Sequence, residues 1–156
     1  MNRVVLADSA FNATDELSRF SLAADNDGAI VSFTGLTRHT SKDGQPINLL
    51  YLESYRGVTL ASMQAIADDA HDRFAITRSM IIHRAGKLSP GEAIVFVATS
   101  APHRRAAFEA ADYLMDRLKT EAVFWKKEIG PSGEHWIEPT ESDNDDRKRW
   151  TDHARN

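Results

Sequence analysis

The chain has 156 residues, 42% of them hydrophobic and 27% charged, with a formal net charge of −4. That is the size and balance of one soluble domain, and the negative charge disfavours broad nucleic-acid binding. With no cysteine, disulfides, thiolate metal sites and a cysteine nucleophile are excluded. No apolar run reaches bilayer length, and the start MNRVVLADSA lacks a signal-peptide core, so a cytoplasmic protein without membrane contact is expected.

Residues 3–7 (RVVLA) read as a short strand. Asn12 or Thr14 can cap a helix running to about Ala24, with Leu17, Phe20 and Leu22 as its inward side chains. Asn26-Asp27-Gly28 is a turn. The near-continuous apolar character of GAIVSFTGLTR (28–38) predicts a central strand, followed by a polar loop, HTSKDGQP (39–46), and a second strand over 47–55. Leu60, Met63, Ile66, Ala67 and Ala70 recur at helical spacing within 58–74. A strand over 76–86 and a Pro90-Gly91 turn lead into a core strand, AIVFVATS (93–100).

Ser100 and Pro102 announce a helix to about Lys119, with Phe108, Ala111, Met115 and Leu118 on one stripe. AVFWKKEI (122–129) and HWIE (135–138) form a terminal hairpin. The order predicts one α+β domain over residues 1–139. Residues 140–156 form a polar tail expected to fray unless it docks on a partner.

Three stretches can carry chemistry. In PHRR (102–105), His103, Arg104 and Arg105 crowd the first turn of a helix, where the macrodipole disfavours cations by ~0.3–1 kcal/mol. Free backbone N–H groups with three such side chains make an anion site. In FTGLTR (33–38), Arg38 closes a strand where a phosphate or carboxylate can be gripped bidentately, though an ordinary surface arginine explains it equally well. In KTEAVFWKKE (119–128), strand alternation puts Phe124, Lys126 and Glu128 on one face and Trp125, Lys127 and Ile129 on the other. Lys126 and Lys127 therefore have different roles. Lys119, at a helix C-terminus, has a sufficient structural explanation.

His83-Arg84 ends a strand and could line a site, though such a pair is more often a structural edge. The six histidines (His39, His71, His83, His103, His135 and His153) show no metal-binding spacing, and GxSxG, GxGxxG and Walker patterns are absent. His103 and Lys119 are sixteen residues apart, about 24 Å along one helix. One small ligand cannot touch both within one chain. Either there are two sites, or a site is shared between two chains of a dimer.

The stretches DGAIVSFTGLTR, MIIHRAGKLSPGEAIVFVATSAPHRRAAFEAADYLMDRLKTEAVFWKKE, and SGEHWIE with ESDNDDRKRW resemble the large, catalytic subunits of molybdopterin synthases over about residues 26–150. The strand-end IIHRxGxL, the helix-start PHR and the lysine spacing before KE carry the resemblance. It implies an α/β hammerhead-type fold with an additional antiparallel sheet, and a homodimer that binds two small ubiquitin-like sulfur carriers, a heterotetramer overall. The carrier's C-terminal Gly-Gly would bear a thiocarboxylate. Its sulfur would convert cyclic pyranopterin monophosphate into molybdopterin, with no permanently bound cofactor or metal.

By the same resemblance, Lys119 and Lys126 are the catalytic lysines. His103 and Arg104 contact substrate from the neighbouring subunit. Leu36, Thr37 and Arg38 contribute to the pocket, and Lys126, Lys127 and Glu128 line it. Departures fall at Leu36, where a basic residue is common, and at Val123, where proline is usual. YLESYRGVT lacks the usual His and Pro, and Thr140 stands where some relatives carry arginine. Two other readings fit the residues alone: a non-catalytic module gripping a ubiquitin-like C-terminus, and an acyl or phosphoryl transferase holding a phosphate ligand.

Overall fold

A computed structural model describes residues 1–55 and 57–151. His153 and the last residues of the expected tail lie outside them. The elements in chain order are β1 (Asn2–Ala7), α1 (Ala13–Leu22), β2 (Ala29–Leu36), β3 (Leu49–Ser54), α2 (Val58–Arg73), β4 (Arg78–Arg84), β5 (Gly86–Leu88), β6 (Ala93–Ala101), α3 (Arg104–Glu121), β7 (Phe124–Gly130), β8 (Gly133–Ile137) and α4 (Glu141–Lys148).

They build two four-stranded sheets, ordered β1-β4-β6-β2 and β5-β3-β7-β8. β1 runs parallel to β4, and every other pairing is antiparallel. This is the expected α+β arrangement with an additional antiparallel sheet. No helix among the described residues is long and apolar enough to cross a membrane.

The apolar runs of β4 and β6 are continuous because both faces of the first sheet are covered. On one face, Met63, Ile66, Ala67 and Ala70 of α2 and Tyr113, Leu114 and Leu118 of α3 pack on Ile81 and Val97. On the other, Phe20 of α1 packs with Met80, Ile82, Phe96 and Ala98. The two sets alternate along the strands, as the two-residue strand period requires. α1 begins as expected, with the Asn12 side chain accepting from the Asp15 N–H. The second sheet has its own small core of Leu50, Leu52 and Leu88. Gly130 lets the 39–46 loop close on that sheet, since a side-chain carbon there would collide with the Pro46 carbonyl.

Four expectations are corrected. The strand predicted as central, now β2, is an edge strand paired only with β6 among the described strands, and Ile30, Phe33 and Leu36 are exposed. Phe108 points outward from α3 at 60% exposure, and Leu22 is also exposed. The 87–92 turn is shorter than expected, because Gly86–Leu88 pairs with β3. Among the described residues after Pro139, Glu141–Lys148 is helical where a frayed tail was expected.

α4 opens with a capping box, in which the Thr140 side chain accepts from the Asp143 N–H (3.1 Å) and the Asp143 carboxylate accepts from the Thr140 N–H (2.9 Å). It docks on α3 through polar groups and one indole. Arg147 pairs with Glu121 and Arg149 with Asp112 and Asp116. Trp150 donates to Asp116 and packs edge-on against Phe74 and Tyr113. A helix with almost no apolar residues leaves no periodic signal, so its docking was invisible to pattern reading.

Removing that indole releases the segment. Trp150→Ala is expected to cost roughly 1–3 kcal/mol, a fraction of a full core truncation because the side chain is only half-buried. Hydrogen exchange should show faster exchange across α4 with β4 and β6 still protected. Unchanged α4 protection would mean the indole does not hold the helix.

Candidate active site

Lys126 leaves β7 on the apolar side of the second sheet. Leu52 of β3 and Ile137 of β8 stand directly opposite it, on the same face. Phe124, two residues earlier on that face, belongs with Leu50, Leu52, Leu88, Ile94 and Ile137 to one apolar cluster. The lysine stem therefore rises from a hydrocarbon floor. Burial, and after it the nearby Lys119, lower the ammonium from 10.5 to about 8, and Asp143 acts against both.

Lys119 sits in the last turn of α3, exposed, where the helix dipole favours a cation. α3 ends at Glu121 and β7 begins at Phe124, so a short connection folds the two lysines toward each other. Two cations within electrostatic reach, one of them desolvated, make a site for an anionic group with a lysine able to exchange its proton near neutral pH.

The MoaE protein family matches residues 6–121. The molybdopterin synthase catalytic subunit of Caulobacter vibrioides is 49% identical over 151 residues, covering 97% of this chain and 99% of its own. That of Escherichia coli is 42% identical over 148 residues, covering 95% and 97%. A solved structure described as a molybdopterin biosynthesis MoaE protein, from Burkholderia ambifaria, superposes with a TM-score of 0.81 at 34% identity, covering 97% and 99%. The chain belongs to the MoaE protein family.

In this MoaE family member the expected site residues fall into separate groups. Lys119 and Lys126 come together. Lys127, on the opposite face, pairs with Glu134 at 3.0 Å and lies 4.9 Å from the Trp136 ring centre. Glu128 shares the Lys126 face and lines a groove of about 430 Å³ between the 39–46 loop and the β7–β8 hairpin. Neither Lys119 nor Lys126 lines that groove, which we therefore regard as adjoining the lysine pair, not as its pocket.

Leu36 is exposed at the end of β2, and Thr37 is buried with its hydroxyl unpartnered. The Thr37 backbone is tied to the β5–β6 turn by hydrogen bonds with Gly91 and Glu92. Arg38 follows on the surface. His103 occupies the α3 N-cap without a side-chain capping bond, and Arg104 and Arg105 follow, exposed, with no acidic residue in that turn. α3 is one helix of 18 residues, so His103 and Arg104 stand at the far end from Lys119. The nearby acids Glu92 and Asp112 pair with other arginines, Glu92 with Arg84 and Asp112 with Arg149.

Two residues beside the lysines stand outside the expected set of site residues. Asp143 lies close enough to both that their charges act on it. Burial pushes its carboxyl up, but the Thr140 hydrogen bonds and the two lysines together outweigh that and lower it. Thr140, the departure from the arginine of some relatives, is thus the cap that fixes a carboxylate near the lysine pair. The second is His83, buried and stacked on Phe124. Its burial was legible from its strand, but its neighbours across the two sheets were not.

Lys126 also makes a stability prediction. Its folded value lies below its unfolded one, so the charged form is penalised in the fold. Between about pH 8 and 10.5 the unfolded chain keeps a proton that the folded chain has lost, and stability rises with pH. Lys126→Met should therefore melt a few degrees (~2–6 °C) higher than the parent at pH 7, with the gap closing toward pH 10.5. A pH-independent gap would place the ammonium in water.

Proposed function

We propose that this chain is the catalytic subunit of a molybdopterin synthase. It moves sulfur from the C-terminal thiocarboxylate of a small ubiquitin-like carrier subunit onto cyclic pyranopterin monophosphate, and two such transfers build the dithiolene of molybdopterin. The observation that carries this reading is the lysine pair, with Lys126 near 8, in a chain of this family. The relatives' designation as catalytic subunits supports a second, non-catalytic subunit. The absence of cysteine is consistent with sulfur arriving on that partner. We place the reaction in the cytoplasm, and no resident cofactor or metal enters it.

Lys119 stands beside the carrier's terminal carbonyl and polarises it. Once the sulfur is bonded to the precursor, water adds to that carbonyl carbon, negative charge develops on the carbonyl oxygen, and a fixed cation there lowers the barrier. The acyl–sulfur bond then breaks, leaving the sulfur on the precursor and the carrier as a carboxylate. Lys126 moves the proton. At pH 7.5 a group near 8 is neutral roughly a quarter of the time, against about one part in a thousand for an ordinary lysine. Both of its forms are therefore available to donate and accept. Lys127 and Glu128 shape the strand around it.

Arg38, His103 and Arg104 hold the phosphate and pterin oxygens, with Leu36 and Thr37 contributing backbone, since the Thr37 side chain is buried. His103 and Arg104 come from a second copy of the chain. The length of α3 supports this, as does the exposed apolar face of Phe33 and Leu36 on edge strand β2 with Phe108 of α3. Burying that face in a two-fold dimer, each copy binding one carrier, gives a heterotetramer.

Single-turnover conversion of the precursor with thiocarboxylated carrier tests the assignment. Lys119→Ala and Lys126→Ala should each lose ~10²–10⁴-fold. Near-parental turnover by Lys119→Ala would sink it. Mixing Lys119→Ala with a His103→Ala/Arg104→Ala chain, each nearly inactive alone, should restore about a quarter of parental activity after subunit exchange, because half the dimers are mixed and each has one intact site. No recovery would place all the groups in one chain.

A further inference from the structure

Among the described residues, His83 is a buried titratable group beside the lysine pair that the proposed chemistry leaves without a task. It ends β4 at 5% exposure. Its Nδ1 lies 2.8 Å from the Arg84 carbonyl oxygen. A carbonyl only accepts, so Nδ1 carries the proton and the ring is fixed in that tautomer. The ring stacks on Phe124, with centroids 4.2 Å apart and planes 24° from parallel. Phe124 shares the face of β7 that carries Lys126, two residues on. β4 belongs to the first sheet and β7 to the second, so this stack is a bridge between the sheets beside the lysine pair.

We propose that His83 is a positioning residue for Lys126: its ring backs Phe124 and, with it, forms a dry, uncharged wall along the lysine. This rests on the catalytic reading of Lys126 given above. The choice of side chain follows from the surroundings. The position needs a flat ring to stack and an N–H to satisfy the Arg84 carbonyl. A phenylalanine supplies only the first, and an asparagine only the second. A ring that took up a proton would add a third cation beside Lys119 and Lys126, but burial, outweighing the bond to Arg84, and then the two lysines push this imidazole down to about 3. It stays neutral throughout the range in which Lys126 titrates.

The other charged or titratable groups around Lys126 are Lys119 from α3, Asp143 from α4, and, further along its own sheet face, Glu128 and the cross-strand His135. Lys119 and Asp143 act in opposite senses. What they leave unbalanced is desolvation, the largest influence on this lysine. The aromatic wall is where that desolvation can be removed without touching a charge.

The test is the titration of Lys126 followed by NMR of ¹³C-methylated lysines in the full-length protein, with the Lys126 signal assigned by Lys126→Arg. The parent should titrate near 8. His83→Phe keeps the stack and should stay there. His83→Asn keeps the donor but opens the wall to water, and should move Lys126 toward the ordinary 10.5. Phe124→Ala removes the other half of the stack and should do the same, so the idea stays testable if His83→Asn does not fold. The alkaline shift should reappear in the pH profile of single turnover.

The proposal is overturned if His83→Phe moves Lys126 as far as His83→Asn, if the wall variants that fold leave it in place, or if the parent titrates as an ordinary lysine. The titration needs no turnover. A chain inactive with the carrier but showing these shifts would remove the catalytic reading and leave the wall standing.

Discussion

The rest of the molecule is arranged around the length of α3. Its 18 residues run unbroken from the basic N-terminal turn to Lys119, and a helix rises only about 1.5 Å per residue. Leu114 and Leu118 bury one side of it against the first sheet, so it cannot bend to bring its ends together. A ligand the size of a pterin phosphate can be reached by one end only. The cations at the two ends therefore serve one reaction only if a second copy supplies the missing set, and the apolar side chains left outside on β2 and Phe108 are what such pairing would cover. Rigidity in the monomer is thus an argument for assembly.

The lysine pair sets a second constraint, this time on charge. A buried ammonium is expensive, and a second cation beside it makes it more so. The fold limits that cost without cancelling it. Lys119 is left exposed at a helix end that favours it, and Asp143 offsets part of the repulsion. The balance keeps Lys126 near 8, at a cost in stability that a purely structural residue would not bear.

How much of this was legible depended on which physical signal each part leaves in a sequence. β4, β6 and α2 were readable because burial imposes a period on apolar residues. The pairing of Phe124 with Lys126, and the exclusion of Lys127, followed from strand alternation alone, as did the separation of His103 from Lys119 from helix rise. β2 was misread because exposed apolar residues at a prospective interface look the same as buried ones. α4 was missed because ion pairs and a single tryptophan leave no period. Asp143 was not read as a site residue, and His83 only as a residue that could line one, because their neighbours, Lys126 and Phe124, lie on other elements, and no local spacing encodes contacts made across the fold.

That last point gives the C-terminal segment a part in the site. The carboxylate of Asp143 is held by the same two hydrogen bonds that start α4, and α4 is held by Arg147, Arg149 and Trp150 on α3, the helix that ends in Lys119. Docking of the helix and the charge balance of the lysines are therefore one structure. Undocking the helix would withdraw the carboxylate and leave both cations unbalanced, driving Lys126 further toward its neutral form. Thr140, a position where the resemblance leads one to expect arginine in some family members, supplies a neutral cap that fixes a negative group beside the proposed catalytic lysine.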